Sequence, residues 1–286
     1  MVYEKYGQIF KKVRKQHGMS LSNFEEIGIS KGTLSNFENA KSMLSFEKLD
    51  AALAEMQMSV GEYALLLNNG TPDYYITTFL EIDRAYFTND CNKLEKIYLR
   101  NKNYESTESE ILAICAKSLR KTLRTDEKNK LYNFLDSTSI WSLYELYTLV
   151  CVIDQLDVYM LRKIVSNLFE EKYDYIKELA QYRIIFIRIL IRIALFYIRG
   201  NLYKDSFQLI NKLNELCVNY DLSTRTAIKF LKGCWDYRFM DKYSGTKNVQ
   251  IVLKLMSELE AQELRELSCF EFRRIEESLT EPNSSL

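Results

Sequence analysis

The sequence predicts an all-α protein that begins with a helix-turn-helix and continues as an α-solenoid of stacked helix pairs. Three observations support this fold class. The chain has 286 residues and is 47% hydrophobic, but it contains only 2 prolines and 9 glycines, fewer turn residues than a sheet-rich chain needs. Apolar residues recur at helical spacing along most of the chain, with short polar connections between the periodic segments. A stretch near the N-terminus has the pattern of two short helices joined by a tight turn.

This helix-turn-helix pattern runs from Leu21 to Lys41. Ile29 is placed to be buried in the turn, and Ser30 stands where an N-cap residue accepts orphan amide hydrogens. A second helix therefore opens over residues 31–39, and its outward positions are short or polar, as a helix in the major groove requires. The pattern predicts DNA contacts from Ser30, Lys31, Thr33, Ser35, Asn36 and Lys41.

A cluster of cations lies on the predicted first helix, ahead of that motif. The whole chain is balanced, with 39 basic and 39 acidic side chains, so it lacks the general basic surface of many nucleic-acid binders. The local cluster is suited to backbone phosphates on either side of the groove, although a solvated helix face would look similar. The phosphate interpretation assigns Lys12, Arg14 and Lys15. The weak net charge favours two subunits on a repeated half-site.

The segment NNGTP at residues 68–72 marks a domain boundary. Asn and Gly end the preceding helix, and Thr and Pro suit the start of the next. We predict a DNA-binding domain over 1–67, a linker over 68–72 and a helical repeat domain over 73–286.

The second domain is predicted to be a series of helices with short connections, which favours antiparallel pairs stacked in series. We expect a right-handed α-solenoid of tetratricopeptide-like helix pairs. The likeness to that repeat rests on residues 195–207, with Gly200 at the turn and Ser206 in the following helix. A plain helical bundle is the alternative, because no full consensus recurs at the expected period.

The segment predicted as one helix over 173–199 is apolar almost all round, yet it carries a column of polar side chains at helical spacing. An unpaired buried charge is costly, so these arginines need partners. The partners are either internal carboxylates such as Asp154 or Asp157, or the carboxylate and carbonyl groups of an extended peptide. The peptide interpretation assigns Gln181, Arg188, Arg192 and Arg199, with Tyr144, Tyr147, Cys151 and Asp154 on a facing helix.

The composition argues against an enzyme and against a metal or cofactor site. The chain has 1 histidine, His17, so histidine-based metal sites and Ser-His-Asp triads lack members. The 9 glycines form no phosphate-binding loop, and the 6 cysteines form no CxxC pair. We expect neither a signal peptide nor a membrane span, since the most apolar run is interrupted by Arg188 and Arg192. The protein is expected to be cytoplasmic.

Residues 3–66 resemble the Xre-type helix-turn-helix domain through Ile29-Ser30, Leu34-Ser35 and Glu38. Ala40 stands where that domain often has a helix-ending glycine, so Asn39 is expected to take the left-handed conformation instead. The order of helix-turn-helix, hinge and helical repeats, together with the segment LSNFENAKS, extends the likeness over the whole chain. The chain resembles the Rgg/GadR/MutR regulators of Gram-positive bacteria.

This resemblance implies a dimeric transcription factor for quorum sensing. Its partners would be double-stranded operator DNA and a short hydrophobic peptide pheromone held on the concave face of the repeats. RNA polymerase is a further candidate partner. The resemblance assigns dimerisation to a helical segment over 246–279 with an apolar stripe of Val249, Val252, Leu253, Met256, Leu259, Leu264, Leu267 and Phe270. Two alternatives remain, a ligand-independent Xre-type repressor and a tetratricopeptide-like adaptor that does not read DNA.

Overall fold

The computed structural model describes residues 4–218 and 221–280. Regular structure over these residues is helical, as the sequence predicts. The chain divides into two compact units, Met1–Thr77 and Thr78–Leu286. Among the described residues, no helix has both the length and the apolar character that crossing a membrane requires.

The first unit packs its helices around a core of aromatic and aliphatic side chains. Its helices are α1 (Glu4–Gln16), α2 (Lys31–Glu38), α3 (Phe46–Glu55) and α4 (Val60–Leu67). The first helix of the predicted motif is only a 3-10 turn over Leu21–Phe24. The ring of Phe10 packs against those of Phe24 and Phe37, with centroids 5.9 and 5.5 Å apart, and Ile29 is fully buried as predicted.

The end of α2 corrects one expectation. Asn39 has φ −100°, and it is Ala40 that takes the left-handed conformation, at φ 57°. The Lys41 amide donates to the Asn36 carbonyl at 2.8 Å, and the Ala40 amide donates to the Phe37 carbonyl at 3.0 Å. These two bonds form a Schellman motif, whose geometry places the left-handed residue one position after the cap.

The second unit consists of sequential helices joined by short connections. Its helices are α5 (Tyr74–Phe87, which begins in the first unit), α6 (Cys91–Lys102), α7 (Thr107–Ser118), α8 (Thr125–Asp136), α9 (Leu143–Val152), α10 (Val158–Leu168), α11 (Asp174–Glu178), α12 (Ala180–Arg199), α13 (Tyr203–Leu216), α14 (Leu222–Phe239), α15 (Lys242–Glu258) and α16 (Gln262–Glu277). Sequential neighbours pack together from α11 to α16, and α12 also contacts α9, α14 and α16. The apolar helix α12 is therefore at the centre of this unit, as its all-round hydrophobicity predicts.

Two long predicted helices are interrupted. The segment 173–199 breaks at Leu179, whose ψ of 121° is extended. The Arg183 guanidinium donates to the Lys177 carbonyl at 3.2 Å and so satisfies an acceptor that the break leaves free. The segment 246–279 is two helices, because Glu260 takes a left-handed conformation at φ 56° and ends α15.

The apolar stripe assigned to dimerisation divides into a buried part and an exposed part in the structure. Val249, Val252, Leu253 and Met256 are buried inside the unit, where α15 packs on α14, so these four belong to the core rather than to an exposed interface. Leu259, Leu264 and Phe270 are 57%, 41% and 48% exposed. The helical period of the apolar stripe is correct, but the period does not show whether the stripe packs on another helix of the same chain or on a second subunit.

Candidate DNA-reading surface and arginine cluster

The outward face of α2 carries most of the predicted DNA contacts. Ser30 caps the helix by accepting the Thr33 amide at 3.2 Å, and the two hydroxyl groups lie 2.9 Å apart. Lys31 and Asn36 are exposed, while Ser35 is half-buried. Lys31 is 3.6 Å from Glu25, in a pair that is half exposed on both sides and therefore weak. Apart from the Ser30 and Thr33 hydroxyl groups, which form the helix cap, these side chains are available to contact a DNA duplex.

The opposite face of α2 is fixed by an ion pair that the sequence did not reveal. The guanidinium of Arg14 donates to both carboxylate oxygens of Glu38, at 2.6 and 2.9 Å, and to the Met19 carbonyl at 2.6 Å. The hydrogen bond with Glu38 raises the pKa of Arg14. The assignment of Arg14 to phosphate binding is therefore wrong in this structure, because its donors are used inside the domain.

The remaining cations of the predicted phosphate cluster do point to solvent. Lys12 and Lys15 are exposed on α1, and Lys41 is exposed just after α2. An exposed lysine keeps its ammonium group free for a phosphate oxygen. These three residues stay predictions for backbone contacts.

Two arginines of the α12 column, Arg192 and Arg199, meet carboxylates from two other segments. Asp154, in a 3-10 turn after α9, contacts Arg199 and lies 3.5 Å from Nη2 of Arg192 and 3.1 Å from Nη1 of Arg274. Glu271 of α16 is 2.7 Å from Arg199 and 3.3 Å from Arg274. We call these five residues the arginine cluster.

The arginine cluster carries one uncompensated positive charge, since it has three guanidinium groups and two carboxylates. Burial alone would raise the pKa of Asp154, but Arg199, Arg192 and Arg274 lower it to about 2. Asp154 is thus ionised at neutral pH. Of the two internal partners that the sequence suggested, Asp154 pairs with the column, whereas Asp157 caps α10 by accepting the Met160 amide at 2.8 Å.

The three arginines of the column differ in how far their donors are used. Arg188 contacts both oxygens of Asp83, with Nη1 3.1 Å from Oδ2. Arg199 binds two carboxylates. Within the described residues, Arg192 makes one hydrogen bond, at the long distance of 3.5 Å to Asp154, and its guanidinium lies 5.1 Å from the centre of the Tyr86 ring. Arg192 therefore retains donor capacity.

The facing helix α9 supplies the expected aromatic side chains, but they pack against neighbouring groups and leave no open groove. Tyr147 stacks on Phe79 with ring centroids 5.3 Å apart, and the Tyr144 hydroxyl donates to the Glu108 carbonyl at 2.6 Å. Tyr147, Cys151, Arg188 and Arg192 line a void of only about 10 Å³. Gln181 stands apart at the exposed start of α12. The structure thus brings Tyr147, Cys151, Asp154 and the arginines together, without an open groove between them.

An open cavity lies next to Asp154, which forms part of its lining. Its volume is about 440 Å³, within the range of small-molecule and peptide-residue sites, and its lining includes Tyr132, Leu156, Asp157 and Phe196. The sequence predicted neither this cavity nor the roles of Asp83, Tyr86, Glu271 and Arg274. These residues lie far from the column along the chain, 105 positions for the pair of Arg188 and Asp83 and 72 for the pair of Arg199 and Glu271, so local spacing contains no signal for them.

An exposed reading helix on a helix-turn-helix, followed by a separate helical repeat unit, defines a DNA-binding regulator of transcription. Residues 10–63 match the helix-turn-helix family. Residues 91–268 match the family described as HTH-type transcriptional regulator Rgg, C-terminal domain. The chain belongs to the Rgg family of transcriptional regulators, which are not enzymes.

Solved structures agree with this fold over nearly the whole chain. A transcriptional regulator from Listeria monocytogenes EGD-e superposes with a TM-score of 0.75 at 13% identity, covering 98% of this chain and 100% of that one. The SHP pheromone receptor Rgg2 of Streptococcus dysgalactiae gives 0.73 at 17% identity, covering 94% and 99%. The PrgX/cCF10 complex gives 0.67 at 15% identity, covering 95% and 99%. At these identities the likeness shows the fold, a helix-turn-helix followed by helical repeats. A comparison with curated proteins gives no match.

Proposed function

We propose that the protein is a cytoplasmic regulator whose repeat unit binds a short hydrophobic peptide and thereby alters promoter binding. The domain assignment follows the sequence: DNA reading by 1–67, a linker over 68–72, and peptide binding and dimerisation by 73–286. One observation carries the proposal, the uncompensated positive charge of the arginine cluster next to an open cavity. The similar folds of a pheromone receptor and of the PrgX/cCF10 complex support it.

The geometry suggests how such a peptide is held. Leu156 and Phe196 line the cavity and offer apolar surface to aliphatic side chains. Asp154 lines the same cavity and makes the long contact with Arg192, so a carboxylate that enters the cavity competes with Asp154 for this guanidinium. Arginine binds carboxylates through paired hydrogen bonds. We assign Arg192 to the ligand, and Arg188 and Arg199 to holding the site in shape.

The first test is thermal unfolding of the full chain with synthetic hydrophobic peptides of the kind encoded beside regulator genes. A saturable rise in the unfolding temperature is expected, because a ligand that binds only the folded state stabilises it. Arg192→Gln should abolish the rise while leaving the ligand-free unfolding temperature nearly unchanged. Gln181→Ala is the matched control on the same helix, at an exposed position away from the cluster. If no peptide shifts the transition, the peptide proposal fails.

The DNA half of the proposal is tested separately. Two copies of the protein are proposed to place their α2 helices in adjacent major grooves. Asn36→Ala should reduce specific binding by about tenfold or more, since one good base contact contributes roughly 1–3 kcal/mol. Its exposed side chain predicts an unchanged unfolding temperature. Lys12→Ala should weaken binding to all sequences alike and lower its salt dependence. Sequence-independent loss for both variants would contradict base reading by α2.

A second candidate function is favoured by the pairing of the arginines. Arg188 and Arg199 already have carboxylate partners. Such pairing is expected if the arginines only stabilise the fold of a repressor that does not respond to a ligand. In that case Arg192→Gln would destabilise the ligand-free protein. The same thermal experiment therefore separates the two candidates.

A further inference from the structure

The last helix, α16, contributes one charge of each sign to the arginine cluster. Glu271 is 6% exposed, and its carboxylate lies between Arg199 of α12 and Arg274 of its own helix. Arg274 reaches past Glu271 to Asp154, with Nη1 3.1 Å from Oδ2. These contacts fasten α16 to the segment after α9 and to α12. The same carboxylate, Asp154, also lines the open cavity.

We propose that Glu271 and Arg274 are positioning residues that set the charge of the ligand site, so that carboxylate binding and the attachment of α16 reinforce each other. This inference rests on the proposed function. Without ligand the cluster holds three positive and two negative charges. A ligand carboxylate makes three of each, which removes the net repulsion among the guanidinium groups and strengthens their hold on α16. By linkage, attachment of α16 must favour the ligand to the same extent.

The charge argument predicts effects of opposite sign for two neighbouring residues. Arg274→Gln lowers the net charge of the cluster from +1 to zero, and it should weaken binding of a peptide with a free carboxyl terminus by about tenfold, as expected for a charge several Å away in a partly buried site. Glu271→Gln raises the net charge to +2 and should tighten binding of the same peptide, because α16 remains attached in most molecules of this variant and the added charge then decides the affinity. A merely structural role would make both substitutions weaken binding.

The probe is the hydrophobic peptide that gives the largest thermal shift, prepared as the free acid and as the C-terminal amide. The amide lacks the carboxylate, so its affinity should change little in either variant. Arg273→Gln is the matched control, since Arg273 is exposed and donates to the Cys269 carbonyl within its own helix. Peptide affinity is measured by titration calorimetry on the full-length protein.

Hydrogen exchange of the amides in residues 262–277 tests the attachment itself without any ligand. Both Glu271→Gln and Arg274→Gln should raise exchange there by about tenfold or more, whereas Arg273→Gln should not. Unchanged exchange in both variants would overturn the inference. The free-acid peptide should slow exchange of α16 in the unaltered protein, and the amide should not.

The outcomes separate this inference from the proposed function. If a peptide binds the unaltered protein but the two substitutions change its affinity in the same direction, the inference fails and the proposed function stands. If no peptide binds, the proposed function fails and the coupling fails with it. Opposite changes for the free acid alone establish α16 as part of the ligand site.

Discussion

Removal of Arg199 tests whether the arginine cluster stabilises the repeat unit. The side chains of Arg199 and Glu271 are 12% and 8% exposed, and that of Asp154 is 25% exposed. Removing one partner of a buried ion pair lowers the free energy of unfolding by about 3–5 kcal/mol. Arg274 remains 3.1 Å from Asp154 and 3.3 Å from Glu271, so neither carboxylate loses its only partner. For Arg199→Met we therefore expect a loss of about 2–3 kcal/mol.

The assay uses the placement of the two tryptophans. Trp141 and Trp235 both lie in the second unit and are 1% and 7% exposed, so tryptophan fluorescence during a urea titration follows that unit. With a slope of about 2 kcal/mol/M, the midpoint should fall by roughly 1–1.5 M. The double variant Arg199→Met/Glu271→Met should recover part of the loss, because it removes the buried carboxylate that would otherwise keep only Arg274 as a partner. A midpoint within about 0.2 M of the unaltered protein would refute the structural role of Arg199.

Three further predictions concern other parts of the chain. Gly7→Ala should unfold or severely destabilise the first unit, since the added Cβ would lie 2.1 Å from the Phe37 carbonyl oxygen; circular dichroism and loss of DNA binding report this. Gly32→Ala is its control, because the nearest atom there is 3.9 Å away, and it should stabilise the helix by up to about 1 kcal/mol. Ala40→Gly should raise the unfolding temperature, because a left-handed conformation strains alanine by about 1–2 kcal/mol and glycine hardly at all; an unchanged or lower temperature would contradict the Schellman geometry. The pKa of Asp154 lies at about 2, below its ordinary value of 3.8, so its contribution to stability is complete above pH ~4 and disappears as the pH falls from ~4 to ~2. That contribution is at most about 2.5 kcal/mol, and Asp154→Asn should lower stability at pH 7 while removing this part of the acid dependence measured by urea titration.

The sequence predicted the helical class and the recognition helix because both follow from local patterns. Ser30 as an N-cap and Ile29 as a buried turn residue are properties of a few neighbouring positions. Helix ends were less predictable where residues other than glycine take the left-handed conformation. Ala40 and Glu260 have φ values of 57° and 56°, and nothing in their side chains marks them for that role. The long segment 246–279 was consequently predicted as one helix.

Candidate site residues that share one helix could be predicted from the sequence, whereas their partners far away along the chain could not. Arg188, Arg192 and Arg199 share one side of a helix, and the spacing of the column is visible in the sequence. Their partners are Asp83, Asp154 and Glu271, on helices separated from α12 by long stretches of chain. A charge pattern on one helix indicates that a partner is required, but only the packing of the other helices determines which carboxylate fills that need.

The division of α2 into a fixed and a free face has a consequence for how such a regulator can change over generations. Leu34, Phe37 and Glu38 are fixed by the core and by Arg14, whereas Lys31 and Asn36 stand in solvent. Substitutions at the two solvent positions leave folding almost untouched. After a gene duplication, one copy can therefore acquire specificity for a new promoter by substitutions at these positions, one residue at a time, because each successive variant still folds.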